Sequence, residues 1–191
     1  MGMGKSQAVK KSTNSTKQDP FISETDFMTE AERQGINGQD LQDELDDYVT
    51  SSYGGVELGD RLSNFIENAP KSMMYDGGTL YRGIYFNSEK ELNDFLKQHK
   101  VGDTLKTRRD GLSWTASESV AQEFSVNAGD NAVIFVNNDT NRIAMGIKNI
   151  ADTPISSEEV LWSNKVNFIV SKVETRNGIT YIHVKQKRIK K

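Results

Sequence analysis

The sequence contains no cysteine, which removes disulfides, thiolate nucleophiles and cysteine-ligated zinc together. Histidine is almost as scarce, with His99 and His183 the two present. Neither adjoins a nucleophile-elbow pattern, so a Ser-His-Asp hydrolase is poorly served, and each reads as a surface or packing residue. No apolar run is long enough to span a membrane, and the N-terminus lacks the apolar core of a signal peptide. A soluble, cytoplasmic protein is expected.

What is present suits one globular domain with tails: 191 residues, 35% hydrophobic and 27% charged. The net charge of -3 conceals an asymmetry. Residues 1–17 carry four lysines and no acid, and "KQKRIKK" at 185–191 carries five bases and no acid. Subtracting those nine from 24 bases leaves 15 against 27 acids in residues 18–184, a balance of -12. An acidic body argues against a surface that grips nucleic acid everywhere. Residues 1–20, rich in Ser, Lys, Thr and Gln, read as a disordered tail, 21–184 as the domain, and 185–191 as a solubilising basic tail. "MGMGKS" matches an N-myristoylation pattern and the end of a P-loop, but no strand precedes it to hold phosphate.

Helices dominate the front. Thr29 with Glu32 reads as a capping box, and Gly35 as the stop of that helix. Leu41, Leu45, Tyr48 and Val49 recur at helical spacing, as do Leu58, Leu62, Phe65 and Ile66 beyond the "SSYGG" joint. After Pro70 the pattern turns to strands: "TLYRGIYF", a strand near 112–116, the continuously apolar "NAVIFV", and two β-rich runs joined at the hairpin signal Asn177-Gly178. Ser88 with Glu91 caps an intervening helix that buries Leu92, Phe95 and Leu96, and Ser117 is placed to cap one that buries Val120, Ala121 and Phe124. Helices first and strands afterwards predict an α+β fold.

Three polar pieces interrupt the strand half: Arg82, the run Ser113 to Ser117, and Glu159. Singly each has a plain explanation, as an exposed strand arginine, an edge strand entering a helix cap, and a solvated acidic pair. In their order and contexts, "LYRGIYF", "LSWTASESVAQEF" and "SSEEVLW" resemble the ADP-ribosyltransferase family, in the branch built on an arginine, a Ser-Thr-Ser strand and a glutamate. The stretch "LDDYVTSSYGGVELGDRL" is similar to that branch's helix, tyrosine, small-residue turn and second helix, so the resemblance covers about residues 25–184.

The resemblance implies a helical N-terminal half followed by a mixed, mainly antiparallel two-sheet β core around a NAD cleft. It implies NAD as substrate, no metal, and catalytic roles for Glu159, Ser113 and Arg82. Glu159 would hold the nicotinamide ribose 2′-hydroxyl, Ser113 would orient Glu159, and Arg82 would grip the pyrophosphate. The Gly83 backbone would meet the nicotinamide amide, Thr115 would line the nicotinamide side, and Tyr81 and Phe124 are the aromatic candidates to clamp the ring, Phe124 also fitting the core. Ser117 fits a cap as well as a ligand. The family often places an acid or amide two residues before the catalytic glutamate to read the acceptor; Ser157 stands there, with Glu158 between, and "NIADTPIS" lacks the usual aromatic. Small single-domain enzymes of this kind are made by bacteriophages to modify host proteins, and a toxin's catalytic domain would look similar. A monomer with a protein acceptor in the host cytoplasm is expected, a nucleic acid acceptor being the other choice. A NAD glycohydrolase and a non-catalytic binding module of the same fold are the competing readings.

Overall fold

The computed structural model describes residues 19–50, 57–105, 112–126, 131–154 and 157–189, the side chains of 124–126 lying outside this set. Most of the N-terminal tail, the "SSYGG" joint and the last two lysines therefore fall outside the described residues.

Helix α1 spans Glu24–Arg33, α2 Gly38–Thr50 and α3 Asp60–Asn68. The Thr29 capping box is not how α1 begins. Ser23 is the N-cap, its hydroxyl accepting from Asp26 N at 3.1 Å, and Glu24 and Asp26 fill the first turn, where negative charge is favoured. Thr29 sits inside the helix. Asn37 Oδ1 accepts from Asp40 N at 3.1 Å to start α2. Leu41, Leu45, Phe65 and Ile66 of the expected apolar stripes are buried, and Phe27 of α1, also buried, stands edge-on to Phe65 at 5.0 Å.

The strands are β1 (Leu80–Tyr85), β2 (Thr104–Leu105), β3 (Ser113–Thr115), β4 (Ala132–Asn137), β5 (Ala144–Gly146), β6 (Glu159–Trp162), β7 (Val166–Arg176) and β8 (Ile179–Arg188). Helix α4 (Glu89–Gln98) follows β1, with Ser88 Oγ capping Glu91 N at 3.2 Å, and α5 (Glu118–Val126) follows β3. All eight strands lie in one sheet, in the order β2-β7-β8-β4-β1-β3-β6-β5. The expected two-sheet core is thus corrected to a single mixed sheet. What unites it is the parallel pairing of β4 with β8, from Val133↔Thr180 to Asn137↔Val184; the other neighbours are antiparallel. β4, the "NAVIFV" run, is buried along its whole length at the centre, as a strand covered on both faces requires.

Asn177 (φ 50) and Gly178 (φ 81) form the two-residue turn between β7 and β8, both in the left-handed region such a hairpin needs. β8 continues through Lys185 to Arg188 while paired to β7, so the basic C-terminal stretch begins as strand. At the opposite rim, Phe21 adds a single parallel bridge to Gly146 of β5, and Ile22 N donates to Gly146 O at 3.1 Å. A Cβ on Gly146 would lie 2.7 Å from the Phe21 ring and 3.1 Å from Pro20 O, so this close approach depends on glycine.

Candidate active site

β3 carries the middle of the site and is held from behind. Trp114 is buried on the core side, 5.1 Å from Phe168 and 6.0 Å from Trp162 between ring centroids. Leu112 N donates to the buried Tyr48 hydroxyl of α2 at 3.2 Å, tying the helical layer to the root of the strand. Strand alternation then turns Ser113 and Thr115 to the other face. β1 and β6 flank β3, with Tyr81 paired to Thr115 and Thr115 paired to Glu159.

Across these three strands the sequence candidates converge. The Ser113 hydroxyl donates to Glu159 Oε1 in a short hydrogen bond, and Arg82 Nη1 donates to Ser113 O at 2.5 Å. Glu159 is 8% exposed. Burial pushes its carboxyl above the ordinary range, while Ser113, Thr153 and the charge of Arg82 pull it back. The Thr153 hydroxyl is itself buried and lies near enough to help, although it makes no hydrogen bond of ordinary geometry. The result is a carboxylate in a low-dielectric setting with one hydroxyl aimed at it and one guanidinium in electrostatic range.

The other candidates divide. Thr115 is buried, and its hydroxyl donates to Ser157 O at 2.6 Å while accepting from Ser117 N at 3.0 Å. It clamps the turn before β6 onto β3. Ser117 Oγ accepts from Val120 N at 3.4 Å, a long capping contact, and shares a hydrogen bond with Ser119. Tyr81 and Gly83 are half-buried on β1, Tyr81 packing against Ala121, Val136 and Tyr181. Phe124 lies in α5, its side chain outside the described residues. Ser157 closes its own loop, its hydroxyl donating to Pro154 O. Glu158 takes a left-handed backbone (φ 44), which costs an L-residue about 1–2 kcal/mol. It is held there by Ala116 N donating to Glu158 O at 3.0 Å. Its carboxylate lies near Tyr75, whose phenol is raised by burial and further by Glu158 and Asp76, against the pull of Arg142.

Two further supports leave no mark in the sequence pattern. Thr153 beside Glu159 sits in a polar loop with no periodicity to mark it. Arg142 is buried, donating to Gly77 O, Gly78 O, Asn137 O and Asn137 Oδ1, and so fixes the turn that launches β1. Both histidines are elsewhere: His99 bonds Phe95 O through Nδ1, and His183 Nε2 meets Glu174 on β7 at 2.9 Å.

No protein-family model and no curated protein matches the chain. Solved structures do. Vis toxin, an ADP-ribosyltransferase from Vibrio splendidus, shares 20% identity over 90% of this chain and 89% of its own, with a TM-score of 0.53. The type III effector XopAI from Xanthomonas axonopodis pv. citri shares 16% over 86% and 71%, with a TM-score of 0.55. C3stau2 from S. aureus, solved with NAD, shares 12% over 87% and 98%, with a TM-score of 0.50. At such identities the likeness speaks for architecture, and on that ground the chain has the ADP-ribosyltransferase-like fold.

Proposed function

We propose that this chain is a mono-ADP-ribosyltransferase that moves ADP-ribose from NAD to a protein acceptor and releases nicotinamide. The observation that carries the reading is the Ser113-to-Glu159 hydrogen bond, with Arg82 on the Ser113 carbonyl, at the junction of β1, β3 and β6. The bond that breaks joins the nicotinamide nitrogen to ribose C1′, and nicotinamide leaves neutral with the electron pair. The sugar passes through an oxocarbenium-like cation, as in glycoside chemistry. Because the leaving group needs no proton, a site without histidine is adequate. Glu159 offers the negative charge the sugar requires, bonded to the 2′-hydroxyl and oriented by Ser113. Arg82 supplies a permanently charged fork for the pyrophosphate. The acceptor nucleophile then bonds to C1′ and gives up its proton, for which Glu158 is the nearest carboxylate in sequence. No step in this scheme invokes a metal.

Hydrolysis of NAD by water is the second reading, favoured by Ser157: its hydroxyl is turned onto Pro154 O, leaving that position without a group for a protein acceptor. Incubation with labelled NAD in lysate, wild type against Glu159→Gln, separates the two. Label on protein that disappears in the variant supports transfer, free ADP-ribose alone supports hydrolysis, and no NAD consumption by the wild type defeats both.

A further inference from the structure

The face of the sheet that carries Glu159 extends well beyond the site. Following the register, Glu159 pairs with Thr115, Thr115 with Tyr81, Tyr81 with Val136, Val136 with His183 and His183 with Lys172. Paired residues share a face, so this row crosses β6, β3, β1, β4, β8 and β7 on one side of the sheet. With neighbouring strands about 4.8 Å apart, Lys172 stands about 24 Å from Glu159 along it. Helix α5 packs on this side over β1, β4 and β3. Beyond Tyr181, whose hydroxyl engages Gln122 and Glu118 of α5, the β8 and β7 half stays exposed.

That half is basic. Lys185 and Lys187 alternate with Val184 and Gln186 on β8, so both lie on the His183 side, exposed and without an ion pair among the described residues. Lys172 and Arg176 lie on the same side of β7 with Glu174, whose carboxylate they and His183 surround. Four permanent cations against that one acid leave +3 on the patch, with Glu118 at its border. The body as a whole is the opposite: residues 18–184, Lys172, Glu174 and Arg176 included, total -12, and α2 alone carries Asp40, Asp43, Glu44, Asp46 and Asp47.

We propose that this half of the sheet face, with Lys172, Arg176, Lys185 and Lys187, is where an acidic protein surface docks as the acceptor for transfer at Glu159, an inference that rests on the transferase reading. Charge complementarity names the partner. A nucleic acid is anionic along its whole length, about one charge per 1.7 Å of duplex, and would overrun the patch onto an acidic body. A protein need be acidic only where it touches. Single-stranded nucleic acid also wants aromatic platforms, and on this face of β7 and β8 Tyr181 is buried with its hydroxyl engaged. Lysines two residues apart on a strand stand about 7 Å apart, close to the 5–6 Å between acids at i and i+4 on a helix.

The test is labelled-NAD transfer in a bacterial lysate by the full chain and by the triple variant Lys172→Gln/Lys185→Gln/Lys187→Gln, with a Lys→Glu triple as a second variant and thermal melts to confirm folding. We expect wild-type labelling of protein to weaken between about 50 and about 200 mM salt, and to fall at least tenfold in folded variants, while release of nicotinamide without acceptor stays within about twofold. Labelling unchanged in both folded variants overturns the docking surface and leaves the transferase reading standing. Nuclease-sensitive label overturns it in favour of a nucleic acid, and free ADP-ribose without macromolecular label overturns it in favour of hydrolysis. No NAD consumption by the wild type removes the transferase reading and the docking surface with it.

Discussion

Two glutamates on the same side of one sheet are treated in opposite ways. Glu159 on β6 is buried with a hydroxyl, and its carboxyl is pushed upward by desolvation. Glu174 on β7 is ringed by Lys172, His183 and Arg176, which together pull its carboxyl down to about 2. A carboxylate that serves the fold is given cations until it is indifferent to acid. Glu159 is left under-neutralised in a dry place, where, on the proposed transferase reading, charge appearing on a substrate counts most.

The largest test of this contrast is Glu159→Gln. NAD turnover should fall about 10²–10³-fold, roughly 3–4 kcal/mol, read as the rate of nicotinamide release. Stability should move the other way. A carboxyl raised by the fold is costly to ionise there, so the ionised group opposes folding above its raised pKa; the variant should melt higher at neutral pH, and the advantage should vanish as pH falls below the ordinary carboxylate range. A melting temperature unchanged at neutral pH would erase the contrast.

Arg82→Lys comes next. Hydrogen bonds to a charged group contribute about 1.5–3 kcal/mol, so a loss of about 10- to 100-fold in kcat/KM for NAD is expected, with the weight on KM. Ser113→Ala should cost less at neutral pH, about tenfold. Its signature is the pH profile: Ser113 holds the Glu159 carboxyl down, so removing it should shift the acid limb of turnover to higher pH. Smallest is Glu174→Gln, which should leave NAD turnover alone and speed amide exchange in β7 and β8. The support Glu174 gives is complete above the ordinary carboxylate range and is lost as pH falls through about 2, where variant and wild type should exchange alike.

Several local signals were legible because the physics behind them is local. Asn177-Gly178 turned where a two-residue hairpin must, "NAVIFV" lay at the sheet centre, and Ser88 capped α4. Thr29 misled because a box motif inside α1 looks like one at its start; Phe27 and Ala31, both buried, show the stripe already running through it. The single sheet was illegible because its join, Val133 to Thr180, links distant segments with no turn between them to announce the pairing. At the site, the meeting of Ser113 with Glu159 came from resemblance rather than pattern, 46 residues separating the partners. Thr153 and Arg142 left no trace, since polar loop residues carry no period and their partners are fixed only by the closed fold.

The rims of the sheet have a consequence for the molecule in a crowd. β5 is capped by the Phe21 bridge, and β2 pairs with β7 over two residues. The remaining outer length of β7 carries a bulge between Val170 and Lys172, followed by Lys172, Glu174 and Arg176. An open row of amides and carbonyls is an invitation for another backbone to join it, and here each margin is short, kinked or charged. Both rims are poor templates for a stranger's strand, and β5 owes that protection to a few residues at its edge: cutting the chain after Ile22 would hand the margin beside β6 to whichever polypeptide arrives first.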